Sequence, residues 1–184
     1  MSDKITEKIL LYQLYTKQNP EAFAKLYDLY ARRIYRFIFF KVANREEAED
    51  ITSEVFLKAW NYVGEKKKIE SFSGLLYKLA RNSVIDLYRS KSRQTEVLSF
   101  DGSESDIDIN DNGKWESALG NKLETQKIIK ALQKLKQEYR EVVTLRYVEE
   151  LEISEIAEIT SKRQVAVRVT LHRGLKKLRD FLKE

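Results

Sequence analysis

The last thirty residues contain two successive helical patterns of opposite charge, and this feature constrains the fold more than any other. The stretch from Glu149 to Glu158 has five acidic residues and no basic one, whereas Lys162 to Lys183 has eight Lys or Arg residues and one acid, Asp180. Only a few residues separate the two patterns, so a tight turn must join them. This arrangement is typical of a helix-turn-helix whose second helix enters a DNA groove.

The second of these helices is amphipathic. Its apolar positions form a stripe that can be buried, and the opposite face mixes cations with the small apolar residues Val165 and Val169. Such a face suits a major groove, because arginine can chelate guanine, cations neutralise phosphates and small apolar groups contact thymine methyls. The alternative is an amphipathic helix whose charged face is simply solvated and does not bind DNA. The stripe predicted to be buried comprises Gln164, Val167, Leu171, Leu175, Leu178 and Leu182.

The composition of the chain favours helices, and the sequence shows no catalytic site. The sequence has one Pro and six Gly, and no alternating Val, Ile and Thr run of strand length, so we expect an all-α fold. Having no Cys and one His, the chain cannot form a Cys/His zinc site or a disulfide framework, and it lacks a Gly-rich phosphate loop. We therefore predict no enzyme activity, metal, cofactor or small-molecule substrate. The N-terminus lacks signal-peptide features, which predicts a cytoplasmic protein.

Charge divides the chain into three segments. Residues 1–93 have 18 bases and 12 acids, residues 94–121 have 1 base and 7 acids, and residues 122–184 have 15 bases and 10 acids. The middle segment also loses helical periodicity and gathers Ser, Asp, Asn and turn-forming dipeptides. We predict two basic helical domains, 1–93 and 122–184, joined by a flexible acidic linker at 94–121.

Helix-start signals mark the first domain. Asn19-Pro20-Glu21 provides a cap, a proline for the first turn and an early acid. Asn44 with Glu47 predicts the start of a second helix, and a third is predicted from about Ser73 to Arg89. Lys78, Arg81, Asn82 and Arg89 are expected on its outer face.

Three segments of the chain resemble bacterial sigma factors of the extracytoplasmic-function (ECF) group. EEAEDITSEVFLKAW at residues 46–60 is similar to region 2.2, and FSGLLYKLARNSVIDLYRSKSR at 72–93 is similar to the promoter-reading regions that follow it. LKQEYREVVTLRYVEELEISEIAEI at 135–159, with the residues up to Leu182, resembles region 4. The segments occur in the order that the family has. The resemblance therefore implies a sigma region 2 bundle and a region 4 helix-turn-helix.

The resemblance implies core RNA polymerase, promoter DNA and an anti-sigma factor as partners. Docking on the polymerase would involve the clamp helices of the β′ subunit and the β flap. An acidic and apolar helix face can bury a leucine at the centre of such an interface. The residues that the resemblance assigns to docking are Asp50, Ser53, Glu54, Leu57 and Trp60.

For the downstream promoter element, called minus-ten, the resemblance implies that the loop from Gly64 to Ser71 receives an unstacked base. Its lysines suit the phosphates of a separated strand, and Ser71 and Asn82 could bond a base edge. Other basic residues would contact the neighbouring duplex. The assigned set is Lys66, Lys67, Lys68, Ser71, Arg81, Asn82, Arg89, Lys91 and Arg93.

The upstream element, called minus-thirty-five, would be read by the last helix. Val169 predicts a preference for a thymine methyl. Two positions where relatives favour glycine carry other residues, at the turn Thr160-Ser161-Lys162-Arg163 and at Glu150, and Ser161 is a candidate cap of the recognition helix. Arg168, Val169, His172 and Arg173 are assigned to base reading, and Arg163, Gln164, Lys176 and Lys177 to phosphates or base edges.

The residues and the resemblance together predict a sigma factor that binds core polymerase and directs promoter-specific initiation. One alternative is a stand-alone helix-turn-helix regulator, which would bind a palindromic site as a dimer without polymerase. A second is a helical adaptor that binds only protein, whose contacts with DNA would lack steep salt dependence.

Overall fold

The computed structural model describes residues 2–17, 19–65, 69–97 and 122–183, and within these ranges it contains helices and no strand. The predicted all-α fold is confirmed. A π-helical turn, Thr144–Val148, follows α6 directly. The helices are α1 (Ser2–Lys17), α2 (Pro20–Val42), α3 (Arg45–Gly64), α4 (Phe72–Val97), α5 (Lys122–Lys134), α6 (Gln137–Val143), α7 (Ile153–Thr160) and α8 (Gln164–Lys183).

The predicted helix starts at Asn19 and Asn44 are both present. The Asn19 side chain accepts a hydrogen bond from the backbone N–H of Glu21 at 3.0 Å, and that of Asn44 accepts one from Glu47 at 2.9 Å. Each asparagine thereby satisfies one backbone donor that has no partner within its helix. These two caps fix where α2 and α3 begin.

The boundaries of α4 differ from those predicted. The helix runs from Phe72 to Val97 rather than from Ser73 to Arg89, so it passes the predicted start of the linker at residue 94. Residues 90–97 contain neither Gly nor Pro, and nothing in them ends a helix. The rest of the predicted linker, residues 98–121, lies outside the described residues.

Helix α1 was not predicted. Its apolar residues are spread around the helix rather than gathered on one face, but Leu10, Leu11 and Leu14 are buried against the rest of the core, and α1 packs on α2. Most of the stability of a helix in a folded protein comes from such packing rather than from local propensity. A search for local helix signals therefore missed it.

Helices α7 and α8 form the predicted helix-turn-helix, and α8 lies closely against α6. A Cβ atom on Gly174 would approach the Val143 and Tyr139 side chains at 3.1 and 3.2 Å, so the two helices meet where α8 has no side chain. Val167 and Gly174 are buried as this packing requires. Gln164 is exposed and Leu182 is 48% exposed, so the prediction of their burial is wrong. Both lie in terminal turns of α8, away from the close approach at Gly174.

Both positions where relatives favour glycine adopt left-handed backbone conformations. Glu150 has φ 56° and Ser161 has φ 54°. Ser161 is the C-cap of α7, and α8 begins three residues later at Gln164. The prediction that Ser161 could be the N-cap of the recognition helix is therefore wrong. The left-handed conformation costs residues with a Cβ atom more than it costs glycine, because the Cβ approaches the backbone carbonyl oxygen.

Replacing Ser161 with glycine is expected to increase the free energy of unfolding by about 0.5–1 kcal/mol, since glycine removes the Cβ strain at this position. Urea denaturation followed by circular dichroism measures the change. Ser161→Ala is the matched control, because it removes the hydroxyl and retains the Cβ. An equal stabilisation by alanine would contradict the backbone explanation.

The helices α1–α4, here called the N-terminal module, pack against α5–α8, the C-terminal module. One cluster of buried apolar side chains includes Phe37 and Leu76 from the first module and Val142 and Ile156 from the second. Helix α4 packs on α7, and α2 packs on α5, α6 and the π-helical turn. The described residues of the two modules therefore share one core.

Candidate nucleic-acid and polymerase interfaces

The exposed surface of α8 carries all the residues predicted to read the upstream element. Arg163 immediately precedes the helix, the other seven lie on it, and all eight are exposed. Val165 and Val169 are 68% and 44% exposed, so small apolar groups lie among the cations, as a groove-reading face requires. Arg168 and His172 are four residues apart and lie on adjacent turns of one face. In the described part of the chain, no hydrogen bond or ion pair joins these eight residues to the N-terminal module.

Helix α8 is held in place by its buried side. Val167 is fully buried, and the Gly174 position lets α8 approach α6 closely. The Lys177 ammonium lies 5.8 Å from the centre of the Tyr139 ring, which directs this lysine toward α6. Lys177 thus has a partner on α6, and Arg168 has one on α8 itself, since it donates to the Gln164 side-chain oxygen at 3.5 Å.

The residues predicted to dock on polymerase share one exposed face of α3. Ser53, Glu54, Leu57 and Trp60 follow Asp50 by three, four, seven and ten residues, which places all five on one side of the helix, and each is exposed. Leu57 is 62% exposed, which places an apolar group in solvent between acidic residues. The opposite side of α3 is buried through Ile51, Val55 and other residues. The face can therefore contact a partner without any change in the core.

Three of these docking candidates have contacts within the fold, and the first is Ser53, whose hydroxyl donates to the Glu49 carbonyl oxygen at 3.0 Å. Glu54 forms an ion pair with Lys58 at 2.6 Å, and both side chains are about half exposed. The Trp60 ring meets the Phe23 ring edge-on, with 4.9 Å between their centres. Trp60 therefore supports the packing of α3 on α2, whereas Leu57 does not.

The structure separates the predicted downstream-element residues of α4 into two groups. Asn82, Arg89 and Arg93 are exposed, and their spacing of seven and four residues puts them on one side of the helix. Arg81 was predicted on the outer face, but it is half-buried and bonds Glu141 of α6 at 3.2 Å. Lys91 forms an ion pair with Glu47 of α3 at 2.5 Å. Arg81 and Lys91 thus have carboxylate partners on other helices, whereas Arg89 pairs with Asp86 of α4 itself at 3.6 Å.

The loop before α4 is described only in part. Lys66, Lys67 and Lys68 lie outside the described residues, so their assignment remains a prediction. The Ser71 hydroxyl accepts a hydrogen bond from the Gly74 N–H at 3.1 Å and therefore caps α4. Glu7 of α1 accepts a second bond from the Phe72 N–H at 2.9 Å and also bonds the Tyr30 hydroxyl. Ser71 and Glu7 together fix the start of α4.

Two family models match the chain in the expected order. One, described as Sigma-70 region 2, matches residues 26–94, and the other, described as Sigma-70, region 4, matches residues 125–178. Over 173 residues the chain is 32% identical to the ECF RNA polymerase sigma factor SigW of Bacillus subtilis (strain 168), covering 91% of this chain and 92% of that protein. The chain belongs to the ECF sigma factors.

One further relative agrees with this assignment, and two solved structures share the fold. The ECF sigma factor BldN of Streptomyces coelicolor is 31% identical over 163 residues, which are 88% of this sigma factor and 61% of BldN. The fold is similar to that of CnrH, solved in complex with the cytosolic domain of CnrY (TM-score 0.72, 20% identity, 97% of each chain). It is also similar to RpoE of Bartonella quintana, solved with the anti-sigma factor NepR (TM-score 0.72, 20% identity, 88% of this chain and 96% of that chain).

Membership of this family confirms the predicted function: the protein is a sigma factor that directs transcription initiation, and the alternative of a stand-alone regulator is disfavoured. In the ranges that the structure describes, no helix has both the length and the apolarity needed to cross a membrane.

Between the two modules of this sigma factor lies a cluster of charged residues around Glu149. Arg36 donates two hydrogen bonds to the Glu149 carboxylate, at 2.9 and 3.1 Å. Tyr77 donates a third at 2.8 Å, and Arg33 bonds the Glu149 carbonyl oxygen at 2.9 Å. Burial raises the pKa of Tyr77, so its hydroxyl stays protonated and acts as the donor. The Glu149 side chain has no exposed surface.

A second cluster surrounds Glu141 on α6. Its carboxylate accepts hydrogen bonds from Lys41 at 2.5 Å and from Arg81 at 3.2 Å. Burial alone would raise the pKa of Glu141, but Lys41 and Arg81 outweigh it and hold the pKa below its usual value. Burial lowers the pKa of Lys41 despite its pairing with Glu141. The carboxylate is thus favoured in its charged form by cations of the other module.

The sequence analysis missed these pairs. Lys41 is 1% exposed although lysine is rarely buried without a partner, and it directly follows the apolar run Phe37 to Phe40. That isolated charge in an apolar run was a usable sign of a buried ion pair. Nothing local indicates its partner Glu141, which lies 100 residues further along the chain.

Proposed function

We propose that this sigma factor docks on core RNA polymerase through the exposed face of α3 and reads two promoter elements, one with α4 and its preceding loop and one with α8. The nucleotidyl transfer belongs to the polymerase, and the sigma factor itself is not an enzyme. It acts where the polymerase acts, in the cytoplasm.

The observation that carries this proposal is the coexistence of two exposed faces with different chemistry on one chain. The α3 face combines acids with Leu57, which suits a protein partner with a basic rim and an apolar centre. The α8 face combines cations with Val169, which suits DNA. A regulator without polymerase has no use for the first face.

For the downstream element, the supporting feature is the start of α4. The Ser71 cap and the Glu7 bond hold the end of the predicted base-receiving loop in one conformation. Asn82, Arg89 and Arg93 extend from this point along one exposed side of the helix. We assign Asn82 to a base edge and the two arginines to the backbone of the adjoining duplex. Lys66, Lys67 and Lys68 are proposed to contact the separated strand.

The proposed partners are core polymerase, through the β′ clamp helices and the β flap, promoter DNA and an anti-sigma factor. The last follows from the family resemblance, and the related RpoE was solved with the anti-sigma factor NepR. An anti-sigma factor would have to cover the α3 face or one of the DNA-facing surfaces, because these are the surfaces that initiation requires.

Reconstituted transcription tests the proposal. Purified core polymerase alone is expected to start at few positions on a genomic template, and addition of this protein is expected to create new start sites preceded by two dissimilar elements at fixed spacing. Mapping of the 5′ ends measures this. Unchanged start sites would refute the proposal, and binding of the free protein to a palindrome would favour the stand-alone regulator.

A further inference from the structure

The surface between the modules is built from cations on one side and carboxylates on the other. The N-terminal module contributes Arg33, Arg36, Lys41 and Arg81, and the C-terminal module contributes Glu141 and Glu149. All the ion pairs here join residues at least 60 positions apart. The contact between modules is therefore strongly electrostatic in addition to its apolar part.

The cations and the carboxylates of this contact are buried to different degrees. The Glu149 and Glu141 side chains are 0% and 7% exposed, whereas those of Arg33, Arg36 and Arg81 keep 34%, 29% and 28% of their surface. The carboxylates thus lie on an arginine surface that already reaches solvent at its edge. If the modules separated, this surface would lose both of these carboxylates.

Separation of the modules is physically reasonable. Desolvation of both partners offsets much of the attraction in a buried ion pair, so such pairs stabilise a contact less than their number suggests. A cavity of about 220 Å³ also lies between the modules, bordered by Glu7, Tyr77, Leu151 and Glu158, so packing there is incomplete. Contacts between domains of one chain commonly open unless they are large and apolar, and this contact combines buried charges with the shared apolar cluster.

The arginine surface has the chemistry of a phosphate site. Arg36 holds the two oxygens of Glu149 with two N–H groups, and the same fork binds two oxygens of a phosphate. Arg81 of α4, which bonds Glu141 in the second cluster, belongs to the set that the resemblance assigns to promoter DNA. An arginine that is paired with a carboxylate cannot bind a phosphate with the same N–H groups, so pairing with Glu141 or Glu149 and binding to DNA exclude each other.

We propose that Arg33, Arg36 and Arg81 form a binding site for the DNA backbone, and that Glu141 and Glu149 cover this site while the modules are packed together. Arg33 and Arg36 then add two phosphate contacts to those on α4. Promoter DNA reaches the site only after the C-terminal module has moved away. The inference rests on the proposed function for the identity of the DNA, and its test needs no polymerase.

The test compares two full-length variants with the same change in net charge. Glu141→Gln with Glu149→Gln neutralises the covering carboxylates and keeps their shape and one acceptor oxygen each. Glu49→Gln with Glu138→Gln is the matched control, since those carboxylates pair with Arg45 and Lys162 inside their own modules. Binding to a fluorescein-labelled 30-base-pair duplex is measured by anisotropy from low to moderate salt.

We expect the first variant to bind the duplex about tenfold or more tightly than the unchanged protein. Its plot of log affinity against log salt should be steeper by about 0.9 for each phosphate gained. The control should stay within about twofold, the shift expected from net charge on exposed sites. Adding Arg33→Gln and Arg36→Gln to the first variant should remove the gain.

Equal binding by the first variant and the control would overturn the inference, as would a gain that survives loss of Arg33 and Arg36. Circular dichroism monitors folding. Should the double variant unfold, Glu149→Gln alone keeps the Lys41–Glu141 pair and carries the same test. Start-site mapping distinguishes the failures: new start sites with no gain in binding would refute only the covered site, and a gain without new start sites would refute only the promoter assignment.

Discussion

Alanine at both Arg168 and Arg173 is expected to abolish selection of the upstream element while polymerase binding remains. Both side chains are exposed on α8 beside Val169, and neither has a partner in the N-terminal module among the recorded ion pairs. A bidentate contact between arginine and guanine contributes about 1–3 kcal/mol of discrimination, so loss of two should cost about 30-fold or more in selectivity. The measurement is transcription from promoters that carry the original or a scrambled upstream element.

The matched control for this prediction is Arg168→Lys with Arg173→Lys. Lysine keeps the positive charge and the attraction to phosphates but lacks the planar fork that reads guanine. Selectivity should fall with lysine nearly as far as with alanine, whereas overall DNA affinity and its salt dependence should fall only with alanine. Full selectivity with lysine would show that these arginines act only as phosphate contacts. Loss of polymerase binding would count against the assignment of these two tasks to separate domains.

Asp50→Ala combined with Leu57→Ala is expected to weaken binding to core polymerase and to leave stability nearly unchanged. Leu57 is 62% exposed, and Asp50 is also exposed, so neither contributes to the core. A leucine that becomes buried at the centre of an interface typically contributes about 1–3 kcal/mol, which corresponds to a loss of about 5- to 150-fold in affinity. Affinity for core polymerase, measured by fluorescence titration, tests this.

Asp180→Ala with Leu182→Ala is the control, because it removes the same two side-chain types from exposed positions on α8. This control should bind polymerase as the unchanged protein does. Trp60 is a poorer choice for the test, since its ring packs edge-on against Phe23 and its removal would also loosen α3 from α2. Unchanged affinity in the Asp50 and Leu57 variant would remove the α3 face from the docking site.

Helix starts and exposed faces were predictable because they depend on residues within one or two turns. Asn19 and Asn44 cap helices wherever those helices pack, and the spacing of Leu57 or Arg168 within an amphipathic pattern already decides which side of the helix it occupies. The end of α4 at Val97 was missed because no local signal ends it. Helix α1 was missed because its apolar residues do not gather on one face, so that packing rather than a local pattern identifies it.

The sequence by itself determined the all-helical fold, the order of the two sigma regions and the exposed faces of α3 and α8, since each of these follows from local pattern or family motif. Only the tertiary structure decided that Lys41 pairs with Glu141, that Arg36 pairs with Glu149 and that Arg81 faces a carboxylate rather than solvent. These pairs form between residues 60 to 113 positions apart. Their energies depend on burial and distance, which exist only after the helices have packed.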